Sequence, residues 1–220
     1  MDGETTPARG REASEARVGP AAAIARLLGL FEATEIRDQE TGGHVRRLSH
    51  YAYVLARGFG LDDDEARLVA DAAPLHDIGK LAVAGHVLHK PGPLDAAEWR
   101  EMREHPSLGA LLLRPDGSKL VATARAIALT HHERWDGSGY PHGLVGDETP
   151  VAGRIVMLAD QYDALRSERC YKPAFDHETT VAILLEGDGR SEPAHFDPRL
   201  LGVLRELEGE LAEIHERIAD

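Results

Sequence analysis

Apolar residues recur at spacings of three and four along most of this chain, and no segment sustains the alternating pattern of a β-strand. Residues 21–37 are rich in Ala and Leu, which favour helix. In the next segment, a set of five residues would share one helical face: Val45, Leu48, Tyr51, Ala52 and Leu55. This periodicity predicts an all-α fold, with functional loops between the helices.

Two interruptions rich in Gly and Pro indicate loops between these helices. The first is the Pro-Gly-Pro turn at 91–93, which is followed by Asp95 as the expected N-cap of a helix. The second is the long segment DGSGYPHGLVGDETP at 136–150. Helical patterning resumes at Val151, so we expect this long loop to connect two helices of the bundle.

The length and charge of the chain restrict what it can bind. Its 220 residues are enough for one substantial core, and we expect residues 1–22 to form a flexible tail and residues 23–220 a single domain. The formal net charge is −13, so the protein has no general attraction for DNA or for an anionic membrane surface. An anionic substrate would therefore be held locally, by metal ions or by a few placed Arg and Lys side chains.

Cysteine content and hydropathy favour a cytoplasmic protein. Cys170 is the single cysteine of the sequence, which excludes an internal disulfide and fits a reducing compartment. The sequence contains no apolar run long enough to span a bilayer. Its first twenty residues lack the apolar core of a signal peptide, so export is not expected.

Histidine and carboxylate residues are placed at spacings that suit metal ligands. Glu40 and His44 are four residues apart and would lie on one face of a helix. His76 is followed directly by Asp77, and because neighbouring side chains diverge on a helix, this pair can serve one centre only from a helix end or an irregular turn. A second adjacent pair, of two histidines, ends another helical run. The complete set of candidate ligands is Glu40, His44, His76, Asp77, His105, His131, His132 and Asp160.

This donor set predicts a centre with more than one metal ion. Imidazole and carboxylate groups together suit Fe, Mn or Zn. A carboxylate can bridge two ions, and bridged ions would lower the pKa of a shared water and neutralise charge on a phosphoryl group. Lys80 follows His76 by one turn and could reach the same phosphate. Isolated histidines are more often structural than metal-binding, so the spacing of these residues by itself leaves the reaction open. Asp163 is expected to make a structural hydrogen bond.

Several longer motifs resemble those of one family. The segments LHDIGK at 75–80 and HHERWDGSGYP at 131–141 are similar to the two signatures of the HD-GYP family, a branch of the HD-domain metallohydrolases. The resemblance extends over about residues 24–206 and includes four further motifs: RDQETGGH at 37–44, the segment 89–113, the segment 154–174 and AHFDP at 194–198.

The resemblance implies a fold, a reaction and a metal centre. Known members are compact helical bundles that hydrolyse cyclic di-GMP to pGpG and often onward to GMP, so residues 23–220 would form the catalytic domain. All eight candidate ligands match ligand positions of the family, with Asp77 bridging two ions for attack of a metal-bridged hydroxide on the phosphodiester. Glu40 is associated with members that hold three ions. A di- or trinuclear centre of Fe or Mn is therefore expected.

The resemblance also implies substrate contacts. Lys80 would contact the scissile phosphate, Arg169 and Lys172 match positions that bind phosphate or guanine, and Asp38 is a further candidate. Tyr140 lies in the Gly-Tyr-Pro loop, which shapes the site in the family and is linked to partner proteins with GGDEF domains. The alternative for Arg169 and Lys172 is a solvated surface charge, and for Tyr140 it is a structural role.

The sequence departs from the family pattern and leaves alternatives open. Val83 and Ala84 replace the usual Ile-Pro after the first signature, which alters a loop and not a ligand. Many members carry a receiver or sensor domain before the catalytic part, and none is expected in residues 1–22.

A hydrolase of another cyclic dinucleotide and a non-catalytic cyclic di-GMP sensor or adaptor are the alternative functions. The last predicted helix is expected to lie on the surface, with a homodimer contact as the alternative.

Overall fold

The computed structural model describes residues 42–168 and 174–218, together with the single residues Gly29 and Thr34. Within these ranges every regular element is helical, and the β-type pairing is limited to an isolated bridge between Asp136 and Val145. The predicted all-α fold is confirmed. The α-helices in chain order are α1 (Gly42–Phe59), α2 (Asp63–Ala72), α3 (Gly85–Leu88), α4 (Ala96–Met102), α5 (His105–Leu112), α6 (Lys119–Thr130), α7 (Val151–Arg166), α8 (His177–Glu186) and α9 (Pro198–Arg217).

Some predictions concern parts of the chain that are not described. The predicted tail at 1–22 lies outside the described residues, so the domain boundary stays a prediction. Of the predicted helix at 21–37, Gly29 and Thr34 are described, and both are helical. Among the described helices, none combines the length and the apolar character that crossing a membrane requires.

Helix α1 organises the core and contacts α2, α7 and α9. Its residues Leu48, Tyr51, Ala52 and Leu55 are fully buried, as the helical spacing predicted. The Tyr51 ring meets the buried Tyr162 ring of α7 edge to face, with the ring centroids 5.2 Å apart. Burying a leucine side chain contributes about 1.5–3 kcal/mol, so this face holds α1 firmly against α7. These two helices carry two of the candidate ligands.

Side-chain caps determine where the helices around the site begin. Asp95 caps α4, as predicted, and its Oδ1 accepts hydrogen bonds from the backbone N of Ala97 at 2.7 Å and of Glu98 at 3.0 Å. Ser118 caps α6, where its Oγ accepts from the backbone N of Val121 at 3.2 Å. Each cap contributes about 1 kcal/mol. Because α6 starts at a defined residue, the residues at its other end also take defined positions.

Candidate metal centre

The first adjacent pair of candidate ligands, His76 and Asp77, lies in irregular backbone. Helix α2 ends at Ala72, one 3₁₀ turn covers Ala73–Leu75, and a second 3₁₀ turn covers Ile78–Ala82. Asp77 sits between the two turns with φ −97° and ψ 10°, outside the regular helical range. Both side chains therefore face the same centre, with His76 Nε2 3.2 Å from Asp77 Oδ2. The expectation that this pair leaves regular helix is confirmed.

Gly79 brings α5 against this segment. A Cβ at position 79 would lie 1.8 Å from the carbonyl O of His105 and 2.6 Å from the backbone N of Gly109. A glycine is required for so close an approach of two backbones. As a result, His105 Nε2 reaches to 3.1 Å from Asp77 Oδ1.

The second adjacent pair, His131 and His132, directly follows the last residue of α6. Their ring centroids are 4.1 Å apart, and the His132 ring lies 5.0 Å from the ring of His105. His131 Nε2 is 3.4 Å from Asp77 Oδ1. The first ligand group, whose ligating atoms all lie within 4.8 Å of one another, consists of Asp77, His105, His131 and His132.

A second group joins α1 and α7 to the same pair. His44 of α1 and Asp160 of α7 face each other with Nε2 and Oδ1 3.8 Å apart, and His76 Nε2 lies 3.9 Å from the same oxygen. The ligating atoms of His44, His76 and Asp160 all lie within 4.8 Å of one another. Because His76 is also 3.2 Å from Asp77, the two groups adjoin.

Hydrogen bonds from Nδ1 to backbone carbonyl groups orient three of the histidine rings. His76 Nδ1 is 3.0 Å from the carbonyl O of Ala73, and His105 Nδ1 is 2.7 Å from that of Met102. His131 Nδ1 is 3.1 Å from the carbonyl O of Ala128. A carbonyl oxygen only accepts, so Nδ1 donates, and the neutral ring presents the lone pair of Nε2 to the centre.

The charges around Asp77 fit a bound cation. Burial would raise the pKa of Asp77, but Lys80, His76 and the contacts with His105 and His131 hold it well below its ordinary value, so the group is a carboxylate. Burial lowers the pKa of His131 and disfavours its charged form. The two Nε2 atoms of His105 and His131 are 3.3 Å apart and both face the carboxylate. Several lone pairs and a negative oxygen therefore converge, which suits a divalent metal ion.

Lys80 and Tyr140 border the centre. Lys80 Nζ lies 2.7 Å from Asp77 Oδ2. The Tyr140 ring stacks on the His132 ring, with the centroids 4.7 Å apart and the planes 22° from parallel, and the Arg103 guanidinium lies 4.9 Å from the Tyr140 centroid. Tyr140 thus contacts one of the candidate ligands, and its role in substrate binding stays a prediction.

Comparison with known proteins identifies the family. A family model described as HD domain matches residues 31–200, which include both ligand groups. The chain belongs to the HD domain family.

Relatives of this HD domain are cyclic dinucleotide phosphodiesterases by name. The 3′3′-cGAMP-specific phosphodiesterase 2 of Vibrio cholerae serotype O1 is 43% identical over 194 residues, 88% of this chain and 36% of the relative. A cyclic di-GMP phosphodiesterase of the same organism is 41% identical over 207 residues, 88% of this chain and 41% of the relative. The cyclic di-GMP phosphodiesterase response regulator RpfG of Xanthomonas campestris pv. campestris is 43% identical over 188 residues, which are 86% of this chain and 49% of the relative. The chain spans less than half the length of each.

Two solved structures share the fold. Bd1817, an HDG"Y"P protein from Bdellovibrio bacteriovorus, has a TM-score of 0.56 at 19% identity, over 85% of this chain and 66% of that one. The cyclic GMP-AMP specific phosphodiesterase V-cGAP3 of V. cholerae has a TM-score of 0.53 at 16% identity, over 88% and 52%. These likenesses concern the helical fold alone. The family model and the relatives confirm the HD-GYP resemblance.

Four of the predicted site residues lie outside the described part of this HD domain. They are one candidate ligand, Glu40, and three candidate substrate contacts, Asp38, Arg169 and Lys172. The remaining seven candidate ligands are brought together in the two groups, and Lys80 and Tyr140 lie beside them.

Glu133, which was not among the residues predicted from the sequence, supports the Gly-Tyr-Pro loop of the HD domain. Glu133 is 2% exposed, and its carboxylate accepts hydrogen bonds from the backbone N of His142 at 2.7 Å and of Leu144 at 3.0 Å. Gly139 allows the loop to fold back, because a Cβ there would lie 2.3 Å from the backbone N of Arg134. The position of Glu133 directly after two candidate ligands is the signal by which the sequence could have indicated it.

Arg47 was missed as well, whereas the structural hydrogen bond expected of Asp163 is confirmed. Asp163 Oδ2 lies 2.8 Å from His44 Nδ1. Burial would raise the pKa of Asp163, but contacts with His215, His44 and Arg47 hold it well below its ordinary value, so it accepts as a carboxylate. Nothing in the sequence distinguished Arg47 from its exposed neighbour Arg46.

Proposed function

We propose that this HD domain is a metal-dependent phosphodiesterase that hydrolyses cyclic di-GMP to pGpG and onward to GMP. The observation that carries the proposal is the position of Asp77, which belongs to one ligand group and lies 3.2 Å from His76 of the other, with Lys80 beside it. The names of three relatives that are 41–43% identical over most of this chain support the class of substrate.

The two oxygens of Asp77 support its role as the bridging ligand. Oδ1 faces His105 and His131, whereas Oδ2 faces His76. When bound, divalent ions would supply Lewis-acid chemistry that lowers the pKa of a water and neutralises charge on the phosphoryl oxygens. We propose Fe or Mn as the ions, because mixed imidazole and carboxylate ligands suit both. Glu40 would distinguish a trinuclear centre from a dinuclear one.

The residues of the chain would bind and orient the substrate around this centre. The ammonium of Lys80 is held at the edge of the ligand set by Asp77, so a phosphate oxygen that enters would meet a positive charge. Tyr140 keeps the His132 ring in place by stacking. Arg169, Lys172 and Asp38 complete the proposed substrate contacts, on the basis of the family motifs.

A hybrid cyclic dinucleotide is the second candidate substrate. A 43% identical relative is named for activity on 3′3′-cGAMP. The two dinucleotides share the phosphodiester and differ in one base, so the metal ligands would treat them alike. Residues that contact the bases would decide between them.

The test is a competition assay with equal concentrations of cyclic di-GMP and 3′3′-cGAMP. The protein is loaded with Fe(II) or Mn(II) under anaerobic conditions, and products are separated by chromatography, with Asp77→Asn as the inactive control. We expect pGpG first and GMP later. Faster loss of 3′3′-cGAMP would favour the second candidate, and binding without cleavage under either metal would favour the sensor or adaptor alternative.

Three further expectations stay predictions. They are the docking of GGDEF-domain proteins at the loop that contains Tyr140, a homodimer, and a cytoplasmic location. Light scattering on the purified protein measures its oligomeric state directly, and a pull-down with Tyr140→Ala as control tests the docking.

A further inference from the structure

A buried network lies behind His44, outside both ligand groups. Asp163 of α7 is fully buried, and its Oδ2 lies 2.8 Å from Nδ1 of His44. Arg47 follows His44 by less than one turn of α1 and is 2% exposed. Its Nε donates to Asp163 Oδ1 at 2.7 Å, and its Nη2 donates to Oδ2 at 3.0 Å. One carboxylate therefore connects a candidate ligand to a buried guanidinium.

The geometry of this network leaves the carboxylate of Asp163 little freedom. The planar fork of Arg47 engages both oxygens, which fixes the rotation of the carboxylate as well as its position. Ser167 Oγ donates a further hydrogen bond to Oδ2 at 3.3 Å. The remaining nitrogen of the Arg47 guanidinium is bonded as well, because Nη1 donates to the carbonyl O of Ile218 at 3.1 Å, just beyond α9.

His44 differs in this respect from three other candidate ligands. His76, His105 and His131 donate from Nδ1 to backbone carbonyls of their own helical segments, so their orientation follows from local backbone. The Nδ1 partner of His44 is a side chain on another helix, 119 residues away. A substitution can therefore remove the support of His44 and leave the support of the other rings unchanged.

We infer that Asp163, held by Arg47, is a positioning residue that orients His44 and controls metal binding by the His44, His76 and Asp160 group separately from the Asp77 group. This inference rests on the metal centre of the proposed function. With its Nδ1 bonded to Asp163, His44 directs Nε2 toward Asp160 at 3.8 Å. Without that bond the ring can rotate about its side-chain torsions, and the second group loses one of its three ligating atoms.

The experiment is a titration of metal-free protein with Mn(II), read out as the number and affinity of bound ions. His44→Ala and His132→Ala serve as references, because each removes a ligand from one group. We expect Asp163→Asn to reproduce the pattern of His44→Ala, with one ion bound about 10- to 100-fold more weakly and the ion of the other group retained. No substrate is needed for this measurement.

A matched control separates positioning from general stability. Asp197 is also a buried carboxylate with two arginine partners, Arg154 at 2.7 Å and Arg199 at 2.9 Å, and it belongs to neither ligand group. Asp197→Asn should lower the midpoint of urea unfolding and leave both Mn(II) affinities at the wild-type values. A variant that merely loosens the fold would not weaken one ion selectively.

Asp163→Asn leaves Arg47 as a buried charge without its carboxylate, which can prevent folding. The double variant Arg47→Met with Asp163→Asn removes both charges and keeps similar volume, and it is expected to fold and to show the same selective loss. Wild-type affinity for both ions in the double variant would overturn the inference, as would equal weakening of both ions. A wild-type protein that binds no Mn(II) would overturn the metal centre itself and the inference with it.

Discussion

His105 Nε2 lies 3.1 Å from Oδ1 of Asp77, and this contact depends on the close approach of α5 to the backbone at Gly79. A Cβ on residue 79 would collide with the carbonyl O of His105 at 1.8 Å, and a backbone atom cannot move aside as a flexible side chain can. The contact between two candidate ligands thus depends on a residue that has no side chain.

The first prediction is that Gly79→Ala separates α5 from Asp77. We expect a loss of about 3 kcal/mol in the free energy of unfolding, at the upper end for overpacked sites, together with weaker metal binding. Gly85→Ala is the matched control, because a Cβ there has no atom within 4 Å and the change should stay within about 0.5 kcal/mol. Urea unfolding and Mn(II) titration measure both effects, and equal behaviour of the two variants would contradict the prediction.

The second prediction concerns Asp77, which belongs to one ligand group and contacts His76 of the other. Asp77→Ala should lower phosphodiesterase activity by about 100-fold or more, a loss typical of a group that stabilises charge in the transition state. The helical far-UV circular dichroism should be retained, because the side chain supports no helix. Asp71→Ala, at an exposed position near the end of α2, should keep full activity. Full activity in Asp77→Ala would refute the bridging role.

The third prediction is that Glu133 holds the Gly-Tyr-Pro loop in place. Glu133→Ala leaves the backbone N–H groups of His142 and Leu144 without their carboxylate, at a cost of about 2–3 kcal/mol. Amide hydrogen exchange at these two residues should become faster. Glu148→Ala removes an exposed carboxylate that bonds the Val145 backbone N in the same loop, and it should change stability by less than about 1 kcal/mol. Unchanged exchange in Glu133→Ala would rule out this anchor.

The fourth prediction is a loss of stability below neutral pH in the metal-free protein. Burial lowers the pKa of His131, and more strongly that of His132, below the ordinary value of 6.5. The unfolded chain therefore binds more protons than the folded one as the pH falls through 6.5, so the stabilisation is complete above that pH and declines below it. Each histidine contributes a slope of up to about 1.4 kcal/mol per pH unit.

Asp77 and Asp163 do not account for a decline in stability between pH 7.5 and 5.5. The pKa values of Asp77 and Asp163 are lowered, so their contributions are lost only when the pH falls below about 4. Urea unfolding of the metal-free protein at pH 7.5, 6.5 and 5.5 should show the decline, and His132→Gln should make it shallower. Constant stability between pH 7.5 and 5.5 would show that the histidines are not held neutral by burial.

Local properties of the sequence determined the fold class and the type of centre. The three- and four-residue spacing of apolar side chains predicted the buried face of α1, and Asp95 marked the start of α4, because both signals depend on neighbours along one helix. The need for the His76 and Asp77 pair to leave regular helix was also a local argument. The identity of the ligating groups was enough to indicate metal, since imidazole and carboxylate chemistry does not depend on the fold.

The grouping of the candidate ligands depends on how the helices pack against one another. His44 joins His76 and Asp160 because α1 packs against α7, whereas His105 joins Asp77 because two backbones meet at Gly79. Helix packing and the close approach of two backbones involve residues that are far apart in sequence. The spacing of residues along the chain therefore does not predict these contacts.

Two neighbouring arginines of α1 differ in burial although the sequence does not distinguish them. Arg46 is exposed and Arg47 is buried against Asp163, 116 residues away. The amino-acid pattern predicts that both are positive residues of one helix. Which of them is buried depends on the position of α7, because the direction of a side chain relative to another helix exists only once the two helices have packed.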